Sequence, residues 1–140
     1  MGDVASRPLR FDLRLPASSI AVAAARAVVR AFQRLVDEDS LQRVELVVSE
    51  LVTNAVRHGS PPDAREIGLE LVIADGRVRG AVSDNGPHFD MPDSRPVDGQ
   101  VGGFGLLIVD DLTESLVIDR ASNGNIVRFS ILMDLRPIDQ

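Results

Sequence analysis

Apolar and polar residues alternate from Leu9 to Leu15, with Leu9, Phe11, Leu13 and Leu15 on one side and Arg10, Asp12 and Arg14 on the other. A period of two predicts a half-buried strand, closed by Pro16. The stretch from Ile20 to Leu35 is rich in Ala and predicts a helix, capped by Ser18 or Ser19. A polar break at Asp37-Glu38-Asp39-Ser40 follows, with Ser40 as the expected N-cap of a second helix. That helix is predicted over Leu41 to Arg57, with Gly59 and Pro61-Pro62 beyond its end. On it Leu41, Val44, Val48, Leu51, Val52 and Ala55 make one apolar face. Glu50 and Asn54, one turn apart, project from roughly the opposite side, with Leu46 and Val47 close to their stripe. Apolar neighbours there imply a face that is covered rather than wholly solvated.

Two strand-like runs, Glu66 to Ile73 and Arg77 to Ser83, flank a tight turn at Ala74-Asp75-Gly76 and predict a hairpin. Periodicity is lost between Asp84 and Gly103, a stretch holding Gly86, Pro87, Pro92, Pro96, Gly99, Gly102 and Gly103. A loop this long inside a compact domain is often a functional lid. Leu106 to Leu112 predicts a short helix. Ser115 to Asp119 and Ile126 to Met133 predict a second hairpin, turning at Ser122-Asn123-Gly124. This order gives an α+β fold, a two-layer sandwich with a mostly antiparallel sheet and its helices on one face. A single domain is expected from Leu9 to Met133, with 1–8 and 134–140 as short tails.

Composition narrows the chemistry. The chain has 140 residues and a net charge of −6, and all 15 of its basic residues are Arg. Without Lys there is no Walker-type phosphate lysine, no protein-kinase strand lysine and no Schiff base. Without Cys there are no thiol nucleophiles, disulfides or thiolate metal sites, which fits a reducing cytoplasm. Scattered Arg residues and an acid excess speak against direct nucleic-acid binding, and no apolar run is long enough to predict a membrane span. Phosphate chemistry in this chain must use Arg, backbone N–H groups and a metal.

Three segments could carry such chemistry. Glu50 and Asn54 could serve a magnesium ion, or Glu50 could take a proton from a hydroxyl or water; a solvated polar pair is the plainer reading. Asp84-Asn85-Gly86 could accept from an exocyclic amine beside a backbone that a ring can approach, or be a simple turn. Gly102-Gly103-Phe104-Gly105-Leu106 could present free N–H groups to phosphate at a helix start, or be a hinge. His58 and His88 have no metal-site spacing.

Taken together in this order, the three segments resemble the Bergerat-fold (GHKL) ATP-binding superfamily of gyrases, heat-shock chaperones, histidine kinases and mismatch-repair proteins, over about Leu9 to Met133. Within it, Ser49-Glu50-Leu51-Val52-Thr53-Asn54-Ala55-Val56-Arg57-His58-Gly59 resembles the asparagine-box helix of bacterial anti-sigma-factor serine/threonine kinases.

The resemblance implies ATP and Mg2+ as cofactors. It makes Glu50 the general base, Asn54 the magnesium ligand, Asp84 the partner of the adenine amine and Gly86 the point of close packing. It gives the box Gly103-Phe104-Gly105-Leu106 to the nucleotide, with Gly103 and Gly105 cradling phosphates, and makes Pro87 to Gly102 a lid whose Arg95 contacts phosphate. The pattern departs in three places: His88 replaces a second glycine, Phe104 stands where Arg is common, and Asn125 follows Gly124 where Thr is expected. Asn125 is expected to bond toward the adenine side, directly or through water. The implied function is a cytoplasmic kinase of an anti-anti-sigma (STAS-type) partner that also sequesters a sigma factor, as a homodimer. The alternatives are a nucleotide-binding or pseudo-kinase module acting through partner binding alone, and a histidine-kinase-type ATPase acting on a separate acceptor.

Overall fold

The computed structural model describes residues 7–58, 66–91 and 104–133. Five strands form one sheet: β1 (Leu9–Pro16), β2 (Glu66–Ala74), β3 (Arg77–Asp84), β4 (Ser115–Ala121) and β5 (Gly124–Leu132). Their order is β1-β2-β3-β5-β4, and every described pair is antiparallel. Among the described residues there are three helices, α1 (Ser19–Arg30), α2 (Glu38–His58) and α3 (Phe104–Leu112). Helix α2 packs on β2 and β3, α1 on α2 and β1, and α3 on α2 and β4. The two-layer α+β architecture is the one the hydrophobic pattern predicts.

The register explains the core. Leu71, Gly80, Phe129 and Leu116 form one cross-strand row, and Leu69, Val82, Val127 and Ile118 the next. These rows meet Val44, Val48, Leu51, Val52 and Ala55 of α2 in one buried cluster. Both hairpins close on two residues: Asp75 (φ 53°) with Gly76 (φ 73°), and Ser122 with Asn123. Positive φ at both central positions of the first turn, Asp75 and Gly76, suits the twist of β2 and β3.

Several predicted boundaries move. Helix α1 ends at Arg30, not Leu35; Phe32, Gln33 and Leu35 instead donate to carbonyls three residues back. Ser18 holds the N-cap position of α1 but its hydroxyl makes no cap bond. Helix α2 starts at Glu38, and its cap is Asp37 rather than Ser40: the Ser40 amide donates to Asp37 Oδ2 at 3.0 Å. A carboxylate there accepts the orphan N–H and also faces the positive end of the dipole. Strand β3 extends to include Asp84, β5 begins at Gly124, and α3 begins at Phe104, which puts Gly105 inside the helix. Strand β1 is an edge, so its apolar side is less covered than expected: Leu15 is buried, but Leu9 and Phe11 are 42% and 37% exposed. Phe11 packs edge-on against Phe32, with ring centroids 4.9 Å apart.

Arg30 fastens α1 to α2. Its guanidinium donates to both oxygens of Glu45, at 3.2 and 2.9 Å, and to Glu38 at 3.0 Å. The Arg30 hydrogen bonds hold the Glu45 carboxyl below the usual carboxylate range. A carboxyl with a depressed folded-state pKa stabilises the fold above its ordinary value, about 4.5, and that contribution disappears as pH falls through the folded value. Glu45→Gln should therefore lower the urea midpoint at pH 7, and the difference should shrink as pH falls below the ordinary carboxylate value. Paired urea titrations check this.

Candidate active site

The candidate residues lie on α2 and the start of α3, and at the ends of β3 and β5. Glu50 and Asn54 are half-buried on the far stripe of α2 because α3 lies against it; Val47 on the same stripe is fully buried, while Leu46 remains exposed. Gly105 sits in the first turn of α3. A Cβ there would lie 2.7 Å from Glu50 Oε2 and 3.8 Å from Asn54 Nδ2. Only a residue without a side chain lets α3 approach the pair so closely while leaving the carboxylate in place. The first amides of α3 lack intrahelical acceptors, and the positive dipole end is on the same side.

Asp84 and Asn125 are direct cross-strand partners on β3 and β5, buried to 9% and 1% exposure. They occupy the helix-side face of the sheet, at the end of rows otherwise filled by apolar residues. Asp84 Oδ1 accepts from the Gly86 amide at 2.8 Å, closing an Asx turn, and from Asn125 Nδ2 at 3.1 Å. The turn and the amine-acceptor readings of Asp84-Asn85-Gly86 are thus compatible, because the turn uses Oδ1 and leaves Oδ2 outside it. Asn125 Nδ2 also donates to the Pro87 carbonyl at 2.9 Å, and Asn125 Oδ1 accepts from the Phe89 amide at 3.4 Å. Its amide protons are therefore committed to protein acceptors rather than aimed at a base.

Sequence reasoning singled out Glu50, Asn54, Asp84, Gly86, Gly105, Leu106 and Asn125. The fold gathers Glu50, Asn54 and Gly105 into one group, and Asp84, Gly86 and Asn125 into another; α2, which carries Glu50 and Asn54, packs on β3, which carries Asp84. Phe104 begins α3, and Leu106 is half-buried in its first turn. Gly103, Arg95 and the lid beyond Met91 lie outside the described residues. Sequence reading took Gly124 as the end of a turn and the residue before Asn125, and missed its packing against the Asp84 backbone. A Cβ on it would overlap the Asp84 carbonyl oxygen and lie 2.7 Å from Asn85 Cα. The signal was the usual one for a glycine at a strand start, a close approach of backbone.

The donor set suits a magnesium nucleotide. Among the described residues no three His, Cys, Asp or Glu side chains form a metal cage. One carboxamide beside one carboxylate is what a magnesium ion needs when it keeps waters and takes its other ligands from phosphate. A concavity of about 510 Å³ lies elsewhere, on the open face of the sheet among Arg10, Glu70, Arg79 and Arg128. It is separated from these groups by the sheet itself. Among the described residues no helix is long and apolar enough to cross a membrane.

Comparison with known proteins agrees with this geometry. Residues 15–131 match the family described as histidine kinase-like ATPase domain. The serine-protein kinase RsbW of Staphylococcus epidermidis is 30% identical over 132 residues, covering 83% of this chain and 82% of that protein. RsbW of Listeria monocytogenes serotype 4a is 28% identical over 90 residues, 56% of this chain and 57% of that one. The fold is shared with the structure of the RsbU and RsbW domains of Rv1364c from Mycobacterium tuberculosis. The TM-score is 0.67 at 24% identity, over 94% of this chain and 33% of that one. The chain belongs to the histidine kinase-like ATPase domain family and, within it, to the serine-protein kinases of the RsbW type.

Proposed function

We propose that the protein transfers the terminal phosphate of ATP to a serine or threonine of an anti-anti-sigma (STAS-type) partner, and sequesters a sigma factor when that partner is phosphorylated. The observation that carries this reading is the convergence of Glu50 and Asn54 on the bare backbone of Gly105 at the start of α3. Glu50 takes the proton of the attacking hydroxyl. Asn54 offers a hard oxygen to Mg2+, which when bound neutralises charge across the phosphates. The first amides of α3 hold phosphate oxygens, so no lysine is needed. Asp84 accepts from the adenine amine, and Gly86 keeps the wall beside the ring thin. Arg95 is the lid's candidate for a phosphate contact.

Phosphoryl transfer asks mainly for positioning and charge neutralisation, which this set provides. Phosphate added to the partner opposes rebinding through charge and bulk. His88, which stands where a second glycine is expected, is exposed with Nε2 3.0 Å from the Ala121 carbonyl oxygen; this supports a site that tolerates the change. The reading places the chain in the cytoplasm, as a homodimer, with its partner and sigma factor. Incubation with labelled ATP, Mg2+ and the partner protein should put acid-stable label on that partner. Acid-labile label would point to phosphohistidine, and no label to regulation by binding alone; either overturns the proposal.

A further inference from the structure

One buried side chain, Asn125, holds both the base-anchoring carboxylate and the backbone that follows it. Its amide meets two acceptors and one donor: Nδ2 faces Asp84 Oδ1 and the Pro87 carbonyl, and Oδ1 faces the Phe89 N–H. Rotating the amide by half a turn would set its oxygen against two acceptors and its NH2 against a donor, so one orientation satisfies all three. Two exposed ties act on the same segment. His88 Nε2 lies 3.0 Å from the Ala121 carbonyl, and Arg120 Nη2 donates to Asp90 Oδ1 at 3.3 Å. Pro87 to Asp90 is thus strapped along the end of the β4–β5 hairpin. Among the described residues Asn125 is the buried tie of that strap.

We propose that Asn125 is a positioning residue that sets purine specificity. It fills Oδ1 of Asp84 together with the Gly86 amide, which leaves Oδ2 outside both bonds as the acceptor for an incoming base. It also holds the backbone of Pro87 and Phe89, in the segment that follows Asp84. A purine with a 6-amino donor satisfies Oδ2. A purine with a 6-oxo acceptor sets oxygen against carboxylate and is refused. Freed from Asn125, the carboxylate can turn and the strap can shift, so the distinction between the two bases is lost. The inference rests on the reading of Asp84 as the base anchor.

The test compares ATP and inosine triphosphate, with Mg2+, by calorimetry on the full chain. The wild type should favour ATP, and Asn125→Ala should reduce the ATP-to-ITP affinity ratio by at least about tenfold. Asn125→Asp preserves shape but sets a carboxylate against Asp84 Oδ1 and the Pro87 carbonyl; it should reduce the ratio as strongly and decides the case if the alanine variant does not fold. Asn125→Thr keeps one donor for Asp84 and should restore most of the ratio. A purely structural role would weaken both nucleotides alike and leave the ratio unchanged. Asp84→Ala separates the two ideas. A ratio unchanged by Asp84→Ala overturns the base-anchor reading itself. A ratio that collapses in Asp84→Ala but stays at the wild-type value in folded Asn125→Ala or Asn125→Asp overturns the role of Asn125.

Discussion

Glu50→Gln is expected to lower phosphate transfer by about 10²- to 10⁴-fold while ATP affinity stays at the wild-type level. Glutamine keeps the length and half-burial of the side chain, and it keeps contact with the backbone of Gly105. It cannot take up a proton. Packing is preserved and one chemical property is removed, so the change isolates the proton-accepting step. A companion, Gly105→Ala, reaches the same step from the other side. Its methyl would arrive 2.7 Å from Glu50 Oε2, at the movable end of a side chain, so the fold can absorb it by turning the carboxylate aside. Transfer should then drop because the base is misplaced. Single-turnover transfer of labelled phosphate, paired with calorimetric ATP titration, reads both quantities. Wild-type transfer by Glu50→Gln would exclude Glu50 as the base.

Gly124→Ala is expected to cost about 3 kcal/mol of stability, seen as a melting temperature lower by about 10 °C. The added methyl meets backbone, namely the carbonyl of Asp84 and the Cα of Asn85, and no side chain can swing away to make room. The start of β5 must separate from the end of β3. That separation takes Asn125 away from Asp84, so ATP affinity should fall even at temperatures where the variant remains folded. Thermal melts followed by ATP calorimetry well below the transition check the two parts. A melting temperature equal to the wild type would mean that the β3–β5 junction accommodates a side chain.

The amphipathic stripe of α2 was legible in the sequence because burial on one side of a long helix leaves a regular period; of the two apolar residues beside Glu50 and Asn54, Val47 is buried under a covered second face while Leu46 is exposed. What covered it was not legible, since the approach of α3 depends on tertiary packing. The end of α1 was missed for a different reason. Phe32 and Val36 are buried and Leu35 half-buried, so the apolar pattern continues while the chain tightens into turns. The cap of α2 was misplaced by one turn because Asp37 and Ser40 are both good cap residues, and their order of preference depends on where the chain enters the helix. Strand β1 has the alternation of a half-buried strand, and its position at the sheet edge, which leaves Leu9 and Phe11 exposed, is a property of topology. The three ties of Asn125 span β3, β5 and the chain after Asp84, and no local pattern encodes them.

The pairing of β1 has a bearing on how the molecule assembles. Both hairpins join neighbouring strands through two-residue turns, whereas every partner of β1 lies in β2, on the far side of α1 and α2 in sequence. Loop-closure entropy makes the hairpins early structures and β1 a late arrival, bonded along one edge only. It is correspondingly the first strand to leave in local opening events. Asp84 and Asn125 sit on β3 and β5, separated from β1 by at least β2, so the adenine contact proposed for them is insulated from fraying at the β1 edge.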